Sequence, residues 1–109
     1  MPPALPLIQG TLDLLVLGAI RQGPIHGYAI ATTIETRSGG DLRVEDAALY
    51  QALHRLERQG YIDAEWGASE NNRRARFYTL TPEGRRRLSE QTSNWRRYTR
   101  ALDALLRGV

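Results

Sequence analysis

The chain has 109 residues, no cysteine, two histidines and an apolar share of 41%. That length suits one domain, or one domain with a helical extension, and the apolar share suffices for a single modest core that a partner subunit would help to stabilise. Disulfides, thiolate metal sites and a cysteine nucleophile are excluded, and the net charge of +3 arises from 15 basic residues, every one an arginine, against 12 acidic ones.

Arginine carries a planar fork that grips phosphate or guanine at two points, which admits nucleic acid as a partner; a GC-rich coding sequence would give the same bias. No run nears the roughly 18–20 apolar residues needed to cross a bilayer, so no membrane partner is expected. The segment Met1 to Ile8 carries three prolines and no basic leader. It does not read as a secretory signal, and a cytoplasmic location is expected.

In chain order, Pro2 to Pro6 reads as a short extended arm. Thr11 to Arg21 is almost continuously apolar and too long for a buried strand, so it predicts a central core helix ended by Gln22-Gly23-Pro24. A second helix is predicted from Gly27 to Arg37, with Tyr28, Ile30, Ala31 and Ile34 on its inward face and Ser38-Gly39-Gly40 as its stop. Asp41 to Val44 is a connector. In the third helix, Glu45 to Gln59, the residues Leu49, Ala52, Leu53 and Leu56 make one apolar stripe, with acids in the first turn and arginines near the end, as the helix dipole favours.

At Gly60 the period changes. Tyr61 to Trp66 alternates apolar and polar residues and predicts a strand; Arg76 to Leu80 predicts a second, with Gly67 to Ala75 as the loop of a β-hairpin. Thr81-Pro82-Glu83 restarts a helix with an N-cap, a first-turn proline and a first-turn acid, running to about Arg107. Along it Leu88, Gln91, Trp95, Tyr98, Leu102, Leu105 and Val109 fall on a heptad seam broken only by Gln91. The fold class is therefore mainly α with a small β-hairpin. Residues 1–81 would form a winged helix-turn-helix, and 82–109 a C-terminal dimerisation helix, with Leu88, Trp95, Tyr98, Leu102 and Leu105 at the interface.

In a helix-turn-helix the second helix of the pair enters the major groove. Here Ala48, Tyr50, Gln51 and His54 lie outward near its start, with Arg55 one position further on. Glutamine can bond adenine in two places, arginine guanine, and tyrosine a phosphate; an ordinary solvated face is the alternative. Asn72, Arg73, Arg74 and Arg76 gather at the hairpin, where arginines can follow phosphates or enter a narrow minor groove. Arg85-Arg86-Arg87 is either a second phosphate-facing patch or a salt-bridged surface. His26 caps the second helix or touches a phosphate; Asp13, odd in an apolar helix, pairs with an arginine or faces an exposed edge. There is no G-x-S-x-G, no metal-ligand cluster and no phosphate-binding glycine loop, so neither an enzyme nor a cofactor is expected.

The segments Gln9-Gly10-Thr11-Leu12-Asp13-Leu14-Leu15, His26-Gly27-Tyr28-Ala29-Ile30, Leu49-Tyr50-Gln51-Ala52-Leu53-His54-Arg55-Leu56-Glu57, Gly60-Tyr61-Ile62 and Arg73 to Thr81 are collinear. In that order the chain resembles the PadR family of bacterial transcriptional regulators, in its short form with a single C-terminal helix. The resemblance implies a winged-helix homodimer on a palindromic operator in double-stranded DNA, usually a repressor, with Tyr50 and the wing arginines at the DNA. It departs from the family at Ala48, where a small hydroxyl residue is common, and at Gln51, where proline is common. Losing the hydroxyl removes a phosphate contact; Gln51 can add a base contact. Some relatives hold a small flat aromatic effector between subunits against a tryptophan of the last helix, and Trp95 stands at a similar place. Trp95 is either such a pocket or a dimer-core anchor. Two other readings are a winged helix turned protein-interaction module and a protein that sequesters small molecules.

Overall fold

In the computed structural model, which describes residues 3–109, the apolar run near the start of the chain forms α1 (Leu12–Ile20). Pro2 of the expected arm lies outside the described residues; Pro3 to Pro6 are exposed, and the Leu5 amide donates to the Asp41 carbonyl at 2.8 Å. Val16, Leu17 and Ile20 of α1 are buried at the centre of the molecule, around which the other elements pack. The order is α1, β1 (Ile25–His26), α2 (Gly27–Arg37), α3 (Asp46–Arg58), β2 (Ile62–Ala68), β3 (Arg74–Leu80) and α4 (Pro82–Leu106).

Two of the helices, α2 and α4, begin at side-chain caps. The His26 side chain caps α2, its Nδ1 accepting from the Ala29 amide at 3.3 Å. Thr81 caps α4 in the same way, its Oγ1 accepting from the Gly84 amide at 3.0 Å, with Pro82 in the first turn. All four residues of the predicted α3 stripe are buried. Gly60, at φ +81°, takes the left-handed conformation that lets the chain leave α3 and start β2.

Tyr28 corrects the sequence expectation for α2. It is 78% exposed, because at 100° per residue it lies about 200° from Ile30 around the helix, and Ile30 with Ile34 already fills the core face.

The sheet is also larger than the expected hairpin. It has three strands in the order β1-β3-β2, all neighbours antiparallel, with Ile25 opposite Tyr78 and His26 opposite Phe77. The hairpin is longer as well. Trp66 faces Arg76 and Ala68 faces Arg74, so both arginines sit in β3 and the connecting turn is only 69–73. Asn72 stands there at φ +58°, a conformation asparagine tolerates better than most residues.

The first turns of α4 join the core: Gly84 is buried and Leu88 packs, half-buried, against the central cluster. Gln91, Thr92, Trp95 and Thr99 are still half-buried; from Arg100 to Val109 every residue is exposed, and this end of α4 projects freely. Its 25 residues make a rod about 37 Å long. Among the described residues no helix is long and apolar enough to cross a membrane.

Candidate nucleic-acid interface

A groove of about 890 Å³ opens between α3, the start of α2 and the hairpin; Tyr28, Tyr50, His54, Trp66, Arg73 and Arg74 are among its lining residues. Strand alternation explains why the hairpin contributes as it does. Tyr78, Arg76 and Arg74 point to one face, as do their partners Ala64, Trp66 and Ala68. Near the base that face is core, with Tyr78 5% exposed. Further out the strands leave the core behind, and the same face looks across the groove towards α3.

The structure brings Tyr50, His54, Arg73, Arg74 and Arg76 to this one groove. Tyr50 is 48% exposed, and its ring lies over the backbone of Gly27: a methyl group built on Gly27 would stand 2.8 Å from the tyrosine hydroxyl. Gln51 and Asn72 are exposed but outside the groove lining. Ala48 is not on the outward face. It is half-buried against the core, since it lies only about 40° from Ala52 around the helix.

Arg55 turns away from the groove and pairs with Asp13 of α1, which answers the question of the acid in the apolar helix. That hydrogen bond raises the guanidinium pKa further, against a smaller desolvation effect. Arg76 is also engaged, donating through Nη2 to Glu57 Oε2 at 2.8 Å. The Tyr78 phenol is pushed above its ordinary value by burial, partly opposed by the Arg76 charge. In the basic run of α4, Arg86 pairs with Glu83 and Arg87 lies 5.8 Å over the Tyr61 ring. Two members of the run are thus committed to surface pairing.

Sequence reasoning passed over Tyr28, Trp66 and Glu57 as site residues. Trp66 is 59% exposed, with the Arg74 guanidinium 4.5 Å over its ring. A large exposed aromatic in a strand was its signal; Glu57 gave none, because its partner is 19 residues away. On α4, Trp95 and Tyr98 stack with centroids 5.9 Å apart and planes at 21°. Tyr98 with Leu102, Leu105 and Leu106 forms an exposed apolar seam.

Three packed helices followed by an arginine-bearing wing that shares a groove with the third helix define a winged helix-turn-helix fold. Residues 16–90 match the family model described as the transcriptional regulator PadR-like family. The chain belongs to that family.

A transcriptional regulator from Clostridium thermocellum superposes with a TM-score of 0.81 at 26% identity, over 91% of this chain and 93% of that one. A PadR family regulator from Eggerthella lenta gives 0.76 at 31%, over 93% and 86%. Bacillus subtilis PadR, solved in complex with operator DNA, gives 0.68 at 24%, over 78% of this chain and 48% of its own. In sequence the chain is 28% identical over 103 residues to an uncharacterised protein of Lysinibacillus sphaericus, covering 94% of each.

Proposed function

We propose that the protein is a homodimeric repressor that acts in the cytoplasm on a palindromic operator, placing α3 in the major groove and the wing along the backbone or in the minor groove. One observation carries this reading: Tyr50 and His54 of α3 and Arg73 and Arg74 of the wing open into the same groove. A duplex seated there meets a helix that can reach base edges and cations that can meet phosphates. Similarity to a PadR that binds operator DNA supports the choice of ligand. The exposed seam of α4 supports the dimer, with residues 82–109 as its dimerisation element and residues up to 81 as the DNA-binding part.

Within this reading Gln51 is the base reader. It is exposed near the start of α3, and a bidentate amide contact to adenine discriminates by about 1–3 kcal/mol. Duplexes recovered from fragmented genomic DNA should share an inverted repeat. Gln51→Ala should relax the preference at one base pair per half-site and leave affinity for random duplex within about twofold. Equal losses on cognate and random DNA would remove Gln51 from that role.

A further inference from the structure

Arg76 is the most enclosed of the three wing arginines. Its Nη2 reaches Glu57 of α3, and its Nε is buried without an acceptor. Its guanidinium lies 5.9 Å from the ring centroids of both Tyr78 and Trp66. Trp66 in turn carries Arg74 at 4.5 Å. From the core outwards the sequence of groups is ring, cation, ring, cation: Tyr78, Arg76, Trp66, Arg74. Its foot is fixed by the burial of Tyr78 and by the ion pair to α3.

The outer hairpin needs such a fixture, because a two-stranded ribbon on its own is only marginally stable in water. Arg76 therefore does two things at once. It joins the wing to the recognition helix through Glu57, and it supports the tryptophan on which Arg74 rests. A cation held over an aromatic face loses little of its capacity to meet phosphate, since the edge of the guanidinium stays free.

We propose that Glu57, Arg76 and Trp66 form a positioning ladder that sets the angle of the wing to α3 and aims Arg74 at the DNA backbone, with Arg76 itself no phosphate ligand. This rests on the DNA-binding reading and adds to it the residues that preorganise the surface. Preorganisation raises affinity by removing the ordering cost from the binding step.

The sign of one substitution separates the ladder from plain electrostatics. Removing the Glu57 carboxylate takes a negative charge off the DNA face, so charge alone predicts tighter binding. The ladder predicts the reverse. Glu57→Gln and Arg76→Gln should each weaken duplex binding about 10-fold, and the double variant should be no worse than either single, because the two act through one another. Arg76→Lys, which keeps the ion pair, should recover most of the affinity. The slope of log affinity against log salt should stay unchanged in all four, since no phosphate contact is lost.

In the DNA-free protein, amide exchange at Gly67 and Ala75, opposite each other near the wing tip, should quicken in Glu57→Gln and stay slow in Arg76→Lys. Unchanged or tighter binding by Glu57→Gln would overturn the proposal. So would a shallower salt slope, by about 2 per dimer, for Arg76→Gln, the mark of a direct phosphate ligand. Should the wild type bind no duplex at all, the DNA reading fails, and the exchange measurement alone still decides whether the ladder holds the wing.

Discussion

Gly84→Ala is expected to lower the melting temperature by about 15 °C, the shift that about 3 kcal/mol produces in a domain of this size. Gly84 lies in the first turn of α4, where the helix is laid across the α3–β2 turn. An added Cβ would stand 1.9 Å from the Tyr61 carbonyl oxygen, a contact with rigid backbone that no side-chain rotation relieves. That carbonyl already accepts from the Thr81 amide at 3.1 Å, and the Thr81 hydroxyl donates to the Gly60 carbonyl at 2.7 Å.

Relief requires α4 to retreat from the turn, straining both bonds and pulling Leu88 from the core. Overpacking costs about 1–3 kcal/mol and each strained hydrogen bond about 1. Alanine's better helix propensity returns only about 1. Thermal unfolding followed by circular dichroism checks the sum, and a melting point within a few degrees of wild type would show that α4 is not seated as described.

The second large effect lies at the other end of the same helix. Leu102→Arg should convert the proposed dimer to a monomer while the winged-helix core stays folded. Tyr98 is 60% exposed, Leu102 41% and Leu105 80%, with Trp95 stacked beside Tyr98. Among the described residues no other element covers this stripe, and at heptad spacing it suits a second copy of the same helix.

Two buried leucines lost per dimer, at about 2 kcal/mol each, raise the dissociation constant about a thousandfold before the opposed charges are counted. Sedimentation at micromolar concentration should give the monomer mass, with unfolding still cooperative because the buried cluster includes nothing beyond Leu88. A stable dimer would assign the interface elsewhere.

How much of this was legible in the sequence depended on the range of each interaction. The α3 stripe, the Thr81 cap and the change of period at Gly60 are local patterns, and each stands where its residues predict. Strand β1 was hidden because two residues have no period, and Ile25–His26 pairs with β3 only after some fifty intervening residues have folded back. Tyr28 departs from the expectation that an aromatic residue seeks the core, because its angle around the helix puts it in the groove. Arg55 and Arg76 looked like free cations because their carboxylates, Asp13 and Glu57, lie on other elements. Gly84 carries a sequence signal of its own: glycine is a poor helix former, and one in the first turn of a long helix marks a close approach by something else.

The proposed role of the groove between α3 and the wing is to hold a DNA backbone, and the dependence of binding on salt is its sharpest test. Each phosphate neutralised contributes about −0.9 to the slope of log affinity against log salt. Arg73 and Arg74 in two subunits should therefore account for a slope of about −3 to −4, which the double alanine variant should lose. The wild type should bind duplex tightly at low salt and weaken steeply as salt is raised. Binding that ignores salt, or no binding to any duplex at low ionic strength, would contradict the claim.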